Sequence, residues 1–191
     1  MAEPQCKLMS AEEFLAWQLD QEERYELVDG FPVPLRGMTG ASNVHDVLVV
    51  NMIASLAVQL RGGPCRVATA DTAIRTSIRN IRRPDVSVDC APPDRRSQEA
   101  QAPTLVVEVL SPSNRPADRL RKIEEYKRLP TLLYILFVEP DAMRAVLLER
   151  TDEGWRDEAF EGSDAAIALP RIGATLTLRD VYEGAPPDGS V

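Results

Sequence analysis

Two carboxylates near the middle of the chain stand where apolar residues would be expected. Glu108 interrupts the apolar run at 105–110 (LVVEVL), and Asp85 opens the alternating segment at 85–89 (DVSVD). An ionised carboxylate inside a buried strand is costly unless it is paired, protonated or bound to a metal ion. A neighbouring arginine or lysine is the structural explanation for Glu108, and a metal or catalytic site is the functional one.

Asp85 and Glu108 can share one end of a sheet if their two strands are neighbours. Two carboxylates together with water oxygens suit a hard divalent cation such as Mg²⁺ or Mn²⁺. The same pair could instead act as a general acid and a general base without metal, as in glycosidases. The spacing of the residues leaves both interpretations open.

The segment after Glu108 adds positive charge. Asp118, Lys122 and Tyr126 follow one another at intervals of four residues, so they line one face of a predicted helix. Lys122 could then reach a phosphate oxygen or an attacking water. The alternative is an ordinary Asp118–Lys122 ion pair on a solvated helix, and Arg119 either touches a phosphate backbone or is plain surface.

The N-terminal elements follow from capping and turn signals. The segment 10–13 (SAEE) is a capping box that predicts a helix to about residue 19, and Asp29-Gly30 predicts a hairpin. Glu26 lies on the first hairpin strand, where the pattern predicts an exposed side chain. A long helix is predicted from 44 to 60, and its N-terminus disfavours protonation of His45 in the first turn.

The middle and the end of the chain are predicted as strands around one further helix. A helix between the buried strands 104–110 and 132–138 predicts a parallel pair, and hairpins predict antiparallel neighbours. The expected fold is therefore α/β, with a central mixed β-sheet flanked by α-helices, an added N-terminal helix and hairpin, and a C-terminal β-hairpin at 144–160. We expect one domain over 1–191, with its core at about 10–180 and a flexible tail at 184–191.

Composition limits the partners and the compartment. The net charge of -8 argues against nucleic acid, but residues 61–138 carry 14 Lys and Arg against 9 Asp and Glu. No run approaches the roughly 18 apolar residues of a membrane span, and the start of the chain does not resemble a signal peptide. The three cysteines form no CxxC pair, which predicts neither a disulfide framework nor a zinc knuckle and favours the cytoplasm.

Several short segments occur in a characteristic order. They are YELVDG at 25–30, a histidine at 45, RPDVSV at 83–88, VVEVLSPS at 106–113, and then Asp118, Lys122 and Tyr126. Each segment alone is a weak signal, but the ordered set resembles the Uma-two (Uma2) family of bacterial proteins, which are often described as restriction endonucleases. The resemblance runs from about residue 10 to residue 180.

The resemblance implies a fold similar to the PD-(D/E)XK nuclease core and assigns the site residues. Asp85 is then the aspartate of the PD motif, and Glu108 is the second acidic residue. The usual lysine two positions later is absent, and Lys122 on the next helix takes its place. Asp85, Glu108 and the backbone carbonyl of Val109 are expected to bind the metal ion, with Glu26 as a further candidate.

The implied function is Mg²⁺-dependent (or Mn²⁺-dependent) hydrolysis of DNA by a cytoplasmic homodimer. Residues expected to contact the nucleic acid are His45, Arg83, Ser111, Arg119 and Tyr126. The family's tryptophan before the core strand is missing at 129–134, which leaves a non-catalytic binding or assembly protein as one alternative. A metal-independent hydrolase that uses the carboxylate pair is the other. No Walker loop, dinucleotide fingerprint or nucleophile elbow is present, which disfavours nucleotide-cofactor enzymes and serine hydrolases.

Overall fold

The computed structural model describes residues 8–35, 43–110, 116–185 and 187. Its α-helices are α1 (Ala11–Gln18), α2 (Asn43–Gln59), α3 (Pro116–Lys127) and α4 (Leu178–Val181), with a 3-10 turn at Pro170–Ile172. Its strands are β1 (Tyr25–Val28), β2 (Phe31–Pro34), β3 (Arg66–Thr69), β4 (Ile74–Ser77), β5 (Asn80–Arg82), β6 (Val86–Asp89), β7 (Pro103–Val109), β8 (Tyr134–Glu139), β9 (Arg144–Thr151), β10 (Gly154–Glu161), β11 (Ala166–Leu169) and β12 (Ala174–Thr177).

The centre of the fold is a six-stranded mixed sheet in the order β10-β9-β8-β7-β6-β3. Only β7 and β8 run parallel among these neighbours, and α3 is the crossover between them. The other pairs are antiparallel, including β6 with β7, so the predicted mixed sheet and the predicted parallel pair are confirmed. Every residue of β7 is buried, which explains its nearly continuous apolar sequence.

Different elements cover the two faces of this sheet. One face packs on α2, α4 and the β11–β12 hairpin, with Leu48, Met52 and Leu56 of α2 in the core. The opposite face packs on α3 and on the edge of a second, four-stranded sheet. Because side chains alternate along a strand, Glu108 lies on the same face as Val106, beneath α3.

The second sheet has the order β2-β1-β5-β4. Its hairpin turns at Asp29 and Gly30, whose φ angles of 51° and 86° suit a two-residue turn. A Cβ on Gly30 would also lie 3.0 Å from the Leu8 Cβ, so glycine is required twice over. The capping box at Ser10 forms as predicted, and β2, which contains two prolines, lies at the edge of the sheet.

The prediction of no disulfide is wrong, because the structure joins Cys65 to Cys90. Arg66 pairs with Asp89 in the antiparallel β3–β6 ladder, so the two cysteines stand opposite each other one residue further on, with Cα atoms 4.0 Å apart. The spacing of cysteines along the chain carries no information about which strands become neighbours, which is why the pair was missed.

The C-terminal region contains more structure than predicted. The hairpin predicted at 144–160 is β9–β10, which extends the central sheet, but β11, β12 and α4 were not predicted. Most of the predicted tail, residues 186 and 188–191, lies outside the described residues. In the part of the chain that the structure describes, no helix is long and apolar enough to cross a membrane.

Candidate functional site

Glu108 is compensated from the helix that follows its strand. The Lys122 Nζ on α3 lies 3.0 and 2.9 Å from the two carboxylate oxygens of Glu108, and the Tyr126 hydroxyl donates a hydrogen bond of 2.8 Å to Oε1. The helical spacing of Lys122 and Tyr126 sets both groups over the same carboxylate. Lys122 is therefore not paired with Asp118, and the buried glutamate has both a charged and a neutral donor.

Asp85 lies beside Glu108 at the end of the sheet. Val86 pairs with Val107, so extending the β6–β7 register by one residue places Asp85 opposite Glu108. Asp85 Oδ2 accepts a hydrogen bond of 2.7 Å from the backbone N–H of Val109, which fixes the carboxylate against β7. Its side chain keeps 23% of its exposure, whereas that of Glu108 keeps 7%. Asp85 therefore forms the open side of the site and Glu108 the buried side.

His45 reaches this site from the opposite layer. Its Nε2 lies 3.4 Å from Asp85 Oδ1, and its Nδ1 lies 3.5 Å from Asp46 without making a hydrogen bond to any described residue. The predicted effect of the helix N-terminus does not decide its protonation. The hydrogen bond with Asp85 outweighs burial and raises the pKa of His45, because the imidazolium is stabilised by the carboxylate.

A second ion cluster lies directly behind Lys122. The Arg82 guanidinium, 1% exposed, donates to Glu125 on α3 at 2.8 Å from both Nε and Nη2, and to Glu26 on β1 at 2.9 Å from Nη1. Glu26 also accepts the Arg83 N–H at 3.0 Å and lies 3.6 Å from Lys122 Nζ. The predicted exposure of Glu26 is wrong, since its inward side chain is buried by this cluster.

The charges of the site act on one another in an uneven way. Burial raises the pKa of Glu108, Lys122 opposes that rise, and the carboxylates of Asp85 and Glu26 add to it. Burial alone would lower the pKa of Lys122, but Glu108 and Glu26 more than offset it, so the pKa of Lys122 is raised. Burial also raises the pKa of Tyr126 well above its ordinary value. Lys122 and Tyr126 therefore remain protonated donors near neutral pH.

Comparison with known proteins agrees with this architecture. Residues 11–179 match the model of the Uma2 family, described as "Putative restriction endonuclease". The chain belongs to the Uma2 family. Two uncharacterized proteins of Synechocystis sp. (strain ATCC 27184 / PCC 6803 / Kazusa) are similar: one is 35% identical over 92% of each chain, and the other is 25% identical over 84% of this chain and 92% of its own.

A solved structure has the same fold. The crystal structure of a "putative nuclease belonging to DUF820" from Anabaena variabilis ATCC 29413 superposes with a TM-score of 0.71 at 16% identity, covering 92% of this chain and 98% of that one. The mixed sheet with flanking helices is thus the Uma2 fold, and the resemblance inferred from the ordered segments is confirmed.

The structure places the other expected contact residues at varying distances from the candidate site. The Arg83 guanidinium faces away and donates to the backbone carbonyls of Tyr25 and Ala70. Arg119 stacks 4.5 Å above the ring of Phe137, the residue paired with Glu108 across the β7–β8 ladder. Arg119 is thus near the site, whereas the Arg83 guanidinium is engaged with backbone carbonyls of β1 and of the loop after β3.

Two more of the residues expected to contact substrate are placed differently from each other. Tyr126 is fully buried beneath Glu108, so its contact is with the carboxylate. Ser111 lies outside the described residues.

Sequence reasoning also missed Arg82 and Glu125. The pair Arg82-Arg83 before the PD motif was a signal for the first, but nothing in the helix pattern distinguishes Glu125 from a surface glutamate.

The oxygen ligands of the candidate site are of the type that a hard cation prefers. Among residues 8–35, 43–110 and 116–185, no three His, Cys, Asp or Glu side chains are grouped to hold a metal ion. Asp85 and Glu108 nevertheless offer carboxylate oxygens, the type that Mg²⁺ prefers, and Mg²⁺ usually keeps several waters. Burial raises the pKa of Glu108 most, and repulsion from Asp85 and Glu26 adds to the rise; a cation at this end of the sheet would relieve that repulsion.

Proposed function

We propose that this protein is a metal-dependent endonuclease that hydrolyses phosphodiester bonds of DNA, with Asp85, Glu108 and Lys122 as its catalytic residues. The proposal rests on one observation above all. A carboxylate on a fully buried strand, Glu108, is joined to a lysine from the following helix and stands beside the more open carboxylate of Asp85. Membership of a family described as "Putative restriction endonuclease" supports the same interpretation.

Asp85 and Glu108, with the backbone carbonyl of Val109 and waters, would hold Mg²⁺ or Mn²⁺. When bound, such an ion lowers the pKa of a coordinated water and neutralises charge on the phosphate. Glu26 is the weaker candidate as a ligand, because its two oxygens already accept from Arg82 and from the Arg83 N–H. Its charge acts instead through Lys122.

The remaining side chains have roles that follow from their protonation and position. Lys122 is held protonated, so it orients the nucleophile or stabilises negative charge on the phosphoryl oxygens and does not act as a base. Tyr126 fixes the orientation of Glu108. His45 orients Asp85, and its raised pKa favours a positive charge beside the open carboxylate. Arg119, half-buried over the ring of Phe137, is the candidate for a phosphate contact.

DNA is the proposed partner in spite of the net charge of -8. The segment that carries the site, residues 61–138, has a surplus of positive charge, and the acidic residues are concentrated toward both ends. Phosphate contacts depend on the local arrangement of Lys and Arg more than on the total charge of the chain. Cleavage of both strands would suit a homodimer.

The test is metal binding followed by cleavage. Mn²⁺ is titrated calorimetrically into chelator-stripped wild type, Asp85→Asn and the exposed-carboxylate control Glu153→Gln, and plasmid cleavage is then assayed with Mg²⁺ or Mn²⁺. We expect binding and cleavage in the wild type and the control, and severe loss of both in Asp85→Asn. Absence of cleavage in the wild type at saturating metal and DNA would refute the proposal, and cleavage that survives chelation would indicate a metal-independent hydrolase.

One observation favours a second function, a non-catalytic binding or assembly protein. Lys122 and Tyr126 already satisfy the oxygens of Glu108, which is how a purely structural buried glutamate would be compensated. Under this alternative the wild type binds DNA or a protein partner without cleaving it, and Asp85→Asn leaves that binding unchanged.

A further inference from the structure

Helix α2 has two apolar faces, and only one of them is buried by the fold. Leu48, Met52 and Leu56 pack into the core. On the outer side lies a second set, which we call the outer stripe: Val47, Val50, Ala54, Ala57 and Val58. Val47 is half-buried, the other four are exposed, and Val50 and Val58 retain 61% and 66% of their exposure. A surface helix normally presents polar residues to solvent, so a stripe like this marks a contact.

The charges around the outer stripe are arranged with opposite signs at its two ends. Asp46 stands at the N-terminal end with 78% of its side chain exposed, and Arg61, also exposed, follows the C-terminal end. No Asp, Glu, Lys or Arg lies between them in the sequence. At 1.5 Å per residue the two charges are about 22 Å apart along the helix.

We propose that the outer stripe pairs with the same stripe of a second copy of this chain, antiparallel, about a two-fold axis at Ala54. In that arrangement Asp46 of each copy faces the partner's Arg61, so two ion pairs close the two ends. Val50 meets the partner's Val58, since both are four residues from the axis. Ala54 meets its own symmetry mate, and its small side chain lets the two helices approach closely.

The charge pattern selects this occupant over others. A parallel pair would place Asp46 against the partner's Asp46, which is repulsive. A lipid surface would call for lysines and arginines along the helix, and residues 43–59 contain none. An antiparallel copy is the partner for which both end charges are complementary without any further assumption.

The pairing has a consequence for the proposed nuclease site, although it does not depend on that function. His45, in the first turn of α2, contacts Asp85. Two antiparallel helices centred on Ala54 would place the two His45 positions about 27 Å apart along the helix direction.

The contact itself is small, because it consists of short side chains on one helix. We expect less than the about 800 Å² per partner of a standard interface, and hence dissociation on dilution.

The first test is a cysteine cross-link with a matched control on the same stripe. Ala54→Cys and Ala57→Cys are each made in a Cys6→Ser background and oxidised without reductant. Position 54 lies on the proposed two-fold axis. The two copies of position 57 would be about 9 Å apart along the helix direction, which is beyond the reach of a disulfide. We expect a covalent dimer with Ala54→Cys and little with Ala57→Cys. Equal cross-linking of both, or of neither, would overturn the proposal.

The second test is sedimentation velocity over a range of concentrations, with circular dichroism to verify folding. We expect the wild type to shift from monomer to dimer with concentration and Val50→Glu to remain monomeric. Asp46→Arg and Arg61→Asp should each weaken the dimer, and the double variant should restore it. A wild type that is monomeric at all concentrations overturns the pairing. That conclusion holds even if a variant without residues 186–191 forms a dimer, or if the monomer binds lipid vesicles, because the stripe of the full chain would then have another occupant.

Discussion

Replacement of Lys122 by Met tests the pairing on which the site depends. The substitution keeps the length of the side chain but removes the ammonium that lies 3.0 and 2.9 Å from the oxygens of Glu108. Removing one partner of a buried ion pair typically costs about 3–5 kcal/mol, because the other charge stays buried without compensation. We therefore expect the free energy of unfolding to fall by about 3–5 kcal/mol at pH 8.

The loss should depend on pH in a defined direction. Burial already raises the pKa of Glu108 in the folded state, and without Lys122 nothing on α3 opposes that rise with a positive charge on this carboxylate. A carboxyl whose folded-state pKa exceeds its unfolded value binds more protons when folded, so stability falls as the pH rises. Between the unfolded pKa of about 4.3 and the raised folded value, the free energy of unfolding falls by up to about 1.4 kcal/mol per pH unit.

Urea denaturation followed by circular dichroism from pH 5 to pH 8 measures both effects. The control is Glu108→Gln in the Lys122→Met background, which removes the buried charge itself. We expect the double variant to recover most of the loss at pH 8 and to lack the additional slope. The reasoning fails if Lys122→Met is as stable as the wild type at pH 8, or if the slope persists in the double variant.

Three further outcomes follow from the same structure. His45 is the only histidine, so its NMR titration is unambiguous; its pKa should lie above the ordinary value, and Asp85→Asn should lower it, whereas an unchanged pKa would contradict the contact. Burial opposes the charge of Glu125, but Arg82 lowers the pKa of Glu125 overall. Glu125→Gln should therefore lower the free energy of unfolding by about 1–3 kcal/mol at pH 7, as measured by urea denaturation. This difference should shrink as the pH falls through the lowered pKa. Cys65→Ser, which breaks the bridge to Cys90, should cost about 3 kcal/mol of stability under oxidising conditions and nothing once the wild type is reduced; equal stability of the two proteins without reductant would count against the bridge.

The parts of the fold that depend on neighbouring residues could be predicted from the sequence. The capping box at Ser10, the turn at Asp29-Gly30 and the α3 crossover each depend on a few consecutive residues or on one helical period. The same holds for the centre of the candidate site. Glu108 was conspicuous because it breaks an apolar strand. Lys122 was conspicuous because it lies on the helix that follows this strand, with Tyr126 on the same helical face.

Features that depend on which strands become neighbours could not be predicted in this way. Cys65 and Cys90 are 25 residues apart and meet only because β3 pairs with β6. Glu26 lies on a strand whose alternation reads as exposed, yet it is buried by Arg82 from β5. The raised pKa of His45 follows from Asp85, which directly precedes β6 of the central sheet and is far from α2 in the sequence.

The guanidinium of Arg82 links parts of the molecule that would otherwise open independently. It holds Glu26 on the four-stranded sheet and Glu125 on α3 at the same time. If either element detached, a buried charge would lose its partner. The local opening of one element would therefore destabilise the folded state of the other. In amide hydrogen exchange, β1, β5 and α3 should therefore gain and lose protection together, as one cooperative unit that includes Lys122.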